Sequence, residues 1–119
     1  MMISVLQAKI HGATITDANL EYEGSITIDS TLLGASGLLA HQHVHVYNIT
    51  NGHRFETYII EGTADSGTIT INGAAAHLAG HGDQVIIAAY ALVDIEAART
   101  WNPTRVFVDG DNRQKALGE

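Results

Sequence analysis

The feature that most restricts the fold is a pair of alternating segments on either side of an Asn-Gly dipeptide. The segment HVHVYNI (43–49) alternates with period two, and RFETYII (54–60) follows Asn51-Gly52. Two such runs around Asn-Gly are the strongest local signal for a β-hairpin. A type I′ turn is expected at Asn51-Gly52, because its two central residues both need positive φ.

Other segments of the chain also have the character of short strands. Strands are expected over 2–14, 25–28, 83–93 and 105–110, and the strand over 83–93 is expected to be fully buried. Short helices are expected within 29–39 and 94–101. Many short strands with few helices indicate a mainly β fold, a small closed barrel, because closure removes exposed strand edges. A chain of 119 residues with 45% hydrophobic content suits one domain over 1–119.

The charge and composition exclude several function classes. A net charge of −7 argues against nucleic acid or an anionic membrane as partner. Lys9 and Arg54 are the only Lys or Arg residues among the first 98 positions, and each either binds a specific anion or pairs with a surface carboxylate. The absence of cysteine excludes disulfides and thiolate sites. Residues 1–10 resemble neither a signal peptide nor a membrane span, so a cytoplasmic protein is expected.

Three histidines alternate in the segment HQHVH. His41, His43 and His45 would fall on one face of a strand, and three imidazoles can bind zinc. Alternate positions on a straight strand are about 7 Å apart, however, which is too far for three ligands to share one ion. We therefore favour a solvated polar strand face over a metal site, and no metal is expected.

A Gly-Ser dipeptide stands where a strand pattern begins, in EYEGSITI (21–28). Gly24 has wide φ/ψ freedom, so a neighbouring group can approach its carbonyl, and Ser25 supplies a hydroxyl beside it. A turn is the ordinary explanation of such a pair. The G-x-S-x-G motif of elbow hydrolases and the phosphate-binding glycine motifs are absent from the sequence.

Seven segments, taken together and in order, resemble the family of aspartate α-decarboxylases, which depend on a pyruvoyl group. These segments are LQAKIH (6–11), YEGS (22–25), TNG (50–52) with RFETY (54–58), INGAAAH (71–77), GD (82–83), AARTW (97–101) and GDN (110–112). The resemblance implies a double-ψ β-barrel, a homotetramer and decarboxylation of L-aspartate to β-alanine and CO₂ for pantothenate biosynthesis. It also allows a separate maturation factor as a further partner.

The resemblance further implies that the chain cleaves itself between Gly24 and Ser25. The Ser25 hydroxyl would attack the Gly24 carbonyl, and an ester and then dehydroalanine would precede a pyruvoyl group. The products would be a β chain, 1–24, and an α chain, 25–119, whose first residue is the pyruvoyl group made from Ser25. This group would form a Schiff base with the substrate amine and accept the electrons released with CO₂.

Individual site residues follow from the same resemblance. Tyr58 matches the proton donor, Thr57 a residue that assists processing by bonding to the Gly24 carbonyl, and Arg54 and Lys9 the cations that bind substrate carboxylate. Four further residues match a segment around the pyruvoyl group and substrate: Asn72, Gly73, Ala74 and Ala75. His11 and Tyr22 match positions near the processing site. Asp17 departs from relatives, which often have histidine there.

Each of these roles has a structural alternative. Tyr58 could be a core aromatic residue, Thr57 a strand former and Asn72-Gly73 a hairpin turn. The main functional alternative is an unprocessed small β-barrel that binds a ligand or another protein. A third interpretation frees the Ser25 amine as the nucleophile of an N-terminal nucleophile hydrolase.

Overall fold

A computed structural model describes residues 1–116 of the chain, so the last three residues of the expected domain lie outside the described residues. The elements in chain order are β1 (Met2–Thr14), β2 (Asp17–Asn19), β3 (Ser25–Asp29), α1 (Ser30–Ser36), β4 (His43–Asn48), β5 (Arg54–Gly62), β6 (Ile69–Asn72), a 3₁₀ helix (Gly73–His77), β7 (Gln84–Asp94), α2 (Ile95–Ala98), β8 (Thr104–Val108) and β9 (Gln114–Lys115).

The nine strands form one sheet in the order β2-β6-β3-β5-β4-β7-β1-β8-β9. Neighbouring strands are parallel at β2–β6, β3–β5 and β1–β8, and antiparallel elsewhere. The sheet surrounds one apolar core, and the prediction of a mainly β, small barrel fold with short helices is confirmed. Neither α1 nor α2 has the length and apolar character needed to cross a bilayer.

The core is built from β-branched residues on the inward face of each strand. Those with no exposed surface include Ile10, Ile26, Ile59, Ile71 and Ile87. Such residues suit a pleated, buried surface, since their stiff side chains pack well against neighbouring strands. The core therefore fixes which face of each strand points outward.

The second half of β7 is not buried as the sequence suggested. Tyr90 is 43% exposed and Leu92 is 68% exposed, so the prediction of a fully buried strand is wrong there. The reason is that β4 pairs with β7 only as far as Ala88, whereas β7 continues to Asp94 beside β1. The end of β7 thus presents an outward apolar surface.

The predicted hairpin is present, but its turn differs from the prediction. β4 and β5 pair in antiparallel register from His43 with Tyr58 to Tyr47 with Arg54. Gly52 has φ of 81°, whereas Asn51 is not among the residues with positive φ, so the turn is not type I′. Instead, the Asn48 side chain accepts a hydrogen bond from the Thr50 amide at 2.9 Å and supports a longer loop.

Strand β4 also begins later than the histidine pattern suggested. His41 lies outside the strand, in a left-handed conformation with φ of 70°. Only His43 and His45 therefore share the outward face of β4, and the expected face of three histidines is wrong. Arg54, Glu56 and Tyr58 do lie on one face of β5, since each pairs with a residue of that β4 face.

Candidate active site

The first residue of β3 is buried directly after an exposed segment. Ser25 is 1% exposed, and it pairs across the sheet with Asn72, the last residue of β6. The Asn72 amide donates to the Ser25 hydroxyl at 3.0 Å and to the Thr27 hydroxyl at 3.2 Å. The Ser25 hydroxyl in turn donates to the Glu23 carbonyl at 3.4 Å. Asn72 thereby fixes the position of Ser25 Oγ beside the peptide that joins it to Gly24.

Gly73 allows the segment before Ser25 to lie against the end of β6. Gly73 has φ of 79°, and a Cβ added there would lie 2.6 Å from Gly24 Cα and 2.9 Å from the Tyr22 carbonyl oxygen. Those distances are too short for any side chain. Gly24, by contrast, has no positive φ, and a Cβ added there would meet no atom within 4 Å. The close approach therefore requires glycine at 73 and not at 24, and no left-handed strain is present at the dipeptide.

β5 places Tyr58 next to Ser25. The parallel strands β3 and β5 begin their pairing at Ile26 and Ile59, and the residues before these are Ser25 and Tyr58. Tyr58 also pairs with His43 on the other neighbouring strand. The four strands β6, β3, β5 and β4 thus carry one cross-strand row, which we call the serine row: Asn72, Ser25, Tyr58 and His43.

A second row crosses the other end of β5, and we call it the arginine row. Register pairs connect its members on β1, β7, β4 and β5 in turn: His11, Ile86, Tyr47 and Arg54. The Arg54 guanidinium lies over the Tyr47 ring, 4.2 Å from its centroid. Burial and a hydrogen bond to Tyr90 raise the pKa of Tyr47 to about 12, so this ring is neutral beneath the cation.

Lys9 lies on the same outward face, two residues before His11 on β1. Its ammonium is 3.3 Å from His11 Nδ1 and 5.5 Å from the centroid of the Phe107 ring. Partial burial lowers the pKa of His11 below its usual 6.5, and the charges of Lys9 and Lys115 lower it further. Neither Lys9 nor Arg54 lies within ion-pair distance of a carboxylate in residues 1–116. The two isolated cations therefore remain available to an external anion.

A comparison with known families shows the family to which these residues belong. The sequence profile described as aspartate decarboxylase matches residues 1–115. The chain belongs to the aspartate decarboxylase family.

Curated relatives agree with this family assignment. The aspartate 1-decarboxylase of Caldicellulosiruptor saccharolyticus is 56% identical over 113 residues, which are 95% of this chain and 88% of that protein. The enzyme of the same name from Syntrophus aciditrophicus is 53% identical over 111 residues, covering 93% and 96% of the two chains. That from Corynebacterium efficiens is 52% identical over 118 residues, covering 99% and 87%.

The fold of this aspartate decarboxylase family member brings only some of the predicted site residues together. The group around Ser25 consists of Gly24, Tyr58, Asn72 and Gly73, with Ala74 and Ala75 in the 3₁₀ helix that follows and Tyr22 contacting Gly73. Lys9, His11 and Arg54 belong to the other end of the outward face. Thr57 pairs with Val44 on the opposite, core side of β5, and the described contacts contain no hydrogen bond from it to Gly24.

Three residues that contact the predicted site residues are not themselves predicted from the sequence. Thr27 shares the Asn72 amide with Ser25, Tyr47 carries the Arg54 guanidinium, and Phe107 lies beside Lys9 and His11. A period of two from Ser25 points to Thr27, and the hairpin register places Tyr47 opposite Arg54. Phe107 carries no such local signal, because the parallel pairing of β8 with β1 joins segments far apart in the chain.

Proposed function

We propose that this protein decarboxylates L-aspartate to β-alanine and CO₂ with a pyruvoyl group made from Ser25. Membership of the aspartate decarboxylase family supports the reaction. The observation that carries the cofactor assignment is the buried Ser25 hydroxyl, held by Asn72 directly after the exposed Gly24. The β-alanine formed would supply pantothenate, and hence coenzyme A, biosynthesis.

Self-processing would start with the Ser25 hydroxyl. Its oxygen attacks the Gly24 carbonyl carbon, the Gly24–Ser25 C–N bond breaks, and the hydroxyl proton passes to the released amine. Elimination of the Gly24 carboxylate then removes Oγ and the Cα proton, and hydrolysis of the dehydroalanine releases ammonia and leaves a ketone. The chains 1–24 and 25–119 result. Thr57 is proposed to stabilise the Gly24 carbonyl oxygen, which requires that carbonyl to turn toward β5.

The residues around Ser25 fit a small group with two adjacent carbonyls. Asn72 already directs an amide donor at this position, and Gly73, which has no Cβ, lets Gly24 and the Tyr22 carbonyl lie close beside it. Backbone amides of the 3₁₀ helix that contains Ala74 and Ala75 begin beside it. When formed, the pyruvoyl group supplies an electron sink for the carbanion left by CO₂. Tyr58, the neighbour of Ser25 on β5, is proposed to move a proton from Oη to that carbon.

The binding of substrate carboxylate by Arg54 and Lys9 would involve two copies of the chain. Arg54 is four residues from Tyr58 on β5, which is about 13 Å along a strand. The Arg54 guanidinium lies over Tyr47 of β4, on the side of β5 away from β3, and Lys9 lies on β1, still farther away. The arginine row of one copy would therefore cover the serine row of another, an arrangement that the proposed homotetramer would allow. The paired N–H groups of the Arg54 guanidinium suit a carboxylate.

A maturation factor would act on the dipeptide itself. Gly24 has ordinary φ in the uncleaved chain, so left-handed strain does not favour the acyl shift. We propose that a partner which turns the Gly24 carbonyl accelerates cleavage. Incubation of freshly purified precursor alone and with lysate should show faster cleavage with lysate. Equal rates would show that the chain needs no such partner.

Intact mass under denaturing conditions tests the proposed function. The wild type should give two fragments, 1–24 and 25–119, the larger one lighter than the unmodified peptide because the serine amine has become a ketone. Borohydride with aspartate should trap an adduct on the larger fragment alone. An unprocessed binding module predicts one chain, and an N-terminal nucleophile hydrolase predicts two chains with an intact serine amine.

The matching variant is Ser25→Ala, which has no hydroxyl to attack Gly24. It should remain one folded chain without decarboxylation, whereas Ser66→Ala, at an exposed serine of the loop between β5 and β6, should be cleaved and active as the wild type is. An active Ser25→Ala protein would overturn the pyruvoyl assignment.

A further inference from the structure

A second cluster of polar side chains lies on the β4–β5 hairpin. His43 and His45 occupy alternate positions of β4, and Glu56 pairs with His45 from β5. The Glu56 carboxylate lies 2.8 Å from His43 Nε2 and 3.5 Å from His45 Nε2. One ligand atom from each of the three residues lies within 4.8 Å of the others. The three side chains thus converge on one point above the sheet.

The convergence arises from the neighbouring strand. Along β4 alone the two histidines are two residues apart, about 7 Å, yet their ring centroids lie 5.2 Å from each other. Glu56 draws both rings toward its carboxylate, and an edge contact with Tyr90, at 5.4 Å between centroids, supports the His45 ring. A carboxylate across the hairpin therefore supplies the third ligand that a single straight strand does not.

The distances are close to those required for a bound ion. Ligands about 2.1 Å from a tetrahedral metal lie about 3.4 Å from one another. The two contacts of Glu56 bracket this value, and the histidines need to approach each other by a small rotation. The side chains of His43 and Glu56 are 65% and 59% exposed, so packing does not oppose that rotation.

The donor set selects a class of metal. Two imidazoles and one carboxylate suit Zn²⁺, Co²⁺, Ni²⁺ or Cu²⁺, whereas Mg²⁺ and Ca²⁺ prefer a shell of oxygen ligands. We propose that His43, His45 and Glu56 bind one divalent transition-metal ion per chain, at an open site with three protein ligands. The remaining coordination positions face outward and accept water or a further donor. His43 also lies in the serine row, but the proposed metal binding requires neither cleavage at Ser25 nor decarboxylation.

The surrounding charges do not block the site. Arg54 is the nearest cation along β5, two residues from Glu56, but its guanidinium is held over Tyr47 and makes no ion pair with that carboxylate. The bound ion would replace the hydrogen bond between His43 and Glu56 with two metal bonds. A simple solvated His–Glu pair is the competing interpretation, and it predicts no saturable metal binding.

Calorimetric titration of untagged, metal-free protein with ZnCl₂ tests the proposal. We expect one Zn²⁺ per chain, visible absorption bands with Co²⁺ in place of Zn²⁺, and no binding of MgCl₂ at the same concentration. His43→Asn, His45→Asn and Glu56→Gln should each weaken Zn²⁺ binding by about tenfold or more, since loss of even an outer-shell partner costs that much. All three positions accept polar replacements, so circular dichroism should show folded variants.

His81→Asn is the matched control, because His81 is exposed on a turn outside this cluster. It should bind Zn²⁺ as the wild type does. The proposal is overturned by a wild type without saturable Zn²⁺ binding, by equal binding of Mg²⁺, or by a Glu56→Gln protein with wild-type affinity.

Discussion

The Asn72 side chain donates hydrogen bonds to both hydroxyls on the outward face of β3, at 3.0 Å to Ser25 and 3.2 Å to Thr27. Each proton of its amide therefore has a fixed acceptor, and the Ser25 oxygen is held next to the peptide that it is proposed to attack. Asn72 is only 6% exposed, so water does not replace it readily. This geometry suits Asn72 as a positioning residue for the proposed cleavage.

Asn72→Ala should slow the appearance of the 1–24 and 25–119 fragments. Loss of the amide leaves two hydroxyls without a donor and should lower the free energy of unfolding by about 1–3 kcal/mol. Time-resolved intact mass measures the cleavage, and urea unfolding in a Ser25→Ala background measures the stability. Asn51→Ala, in the exposed hairpin loop, should leave cleavage unchanged, and equal cleavage rates in both variants would contradict the role of Asn72.

Gly73→Ala should lower the stability of the fold, whereas Gly24→Ala should not. A Cβ at 73 would lie 2.6 Å from Gly24 Cα with φ of 79°, so Gly73→Ala should displace the segment before Ser25 and lower both thermal stability and cleavage. A Cβ at 24 meets no atom within 4 Å, so Gly24→Ala should fold as stably as wild type. Thermal unfolding and intact mass distinguish the two. A Gly73→Ala protein as stable as Gly24→Ala would contradict the close approach.

Tyr58→Phe should separate cleavage from turnover. The variant should still give two fragments but lose about 10²–10⁴ in turnover, the usual range for a positioned acid. Thr57→Val should show the converse defect at the first step and remain largely uncleaved. For both variants, intact mass measures cleavage and the formation of β-alanine measures turnover. Normal turnover by Tyr58→Phe would show that another group donates the proton to the carbon that loses CO₂.

Arg54→Ala and Ser25→Ala, each inactive alone, should restore activity when the two chains are coexpressed. At a mixed interface the Ser25→Ala copy supplies Arg54 and the Arg54→Ala copy supplies the processed Ser25, so one intact site forms. Truncation of a charge clamp that the proposed interface would bury costs about 2–5 kcal/mol, which predicts a large recovery over the background. Arg99→Ala, whose partner is the exposed Glu96, should need no such rescue. Failure of the mixture, despite mixed assemblies in native mass spectra, would place Arg54 and Ser25 in the same copy.

His11 should make stability depend on pH. Its pKa is lowered in the folded protein by burial and by Lys9 and Lys115, so the unfolded chain binds a proton more readily. The free energy of unfolding should therefore fall as pH decreases from 6.5 toward the lower folded-state value, and recover as pH rises. Urea unfolding of the Ser25→Ala chain at several pH values measures the slope. His11→Gln should flatten this dependence, and His81→Gln should not.

The local parts of the fold are predictable from sequence because each carries its own pattern. The alternation in 43–49 and 54–60 predicts the β4–β5 hairpin and its faces correctly. The predicted type I′ turn is wrong because the Asn48 side chain accepts a hydrogen bond from the loop, and the Asn-Gly signal takes no account of such a bond. Strand β6 has only four residues, ITIN, and is too short to show a period. Its pairing with β3 is nevertheless what brings Asn72 to Ser25.

The arrangement of the site depends on strand order, which local patterns do not contain. Seven collinear segments identify the residues, yet the division into a serine row and an arginine row follows from β5 lying between β3 and β4. Glu56 likewise meets His43 and His45 only through the register of the hairpin. The exposed end of β7 is predicted as core from sequence, because an apolar run alone does not show that β4 pairs with β7 only as far as Ala88.

β1 lies in the interior of the sheet, between β7 and β8, and this position has a consequence for refolding after the proposed cleavage. β1 pairs with β7 along nearly its whole length and with β8 on its other edge, and Ala8, Ile10 and Ala13 are almost wholly buried. A 1–24 fragment formed by the proposed cleavage would therefore leave only on global unfolding. Before cleavage, folding is unimolecular; afterwards, refolding requires two molecules to meet, so its rate falls on dilution. Under the proposed cleavage, the chain would fold at a concentration-independent rate only while the Gly24–Ser25 bond is intact.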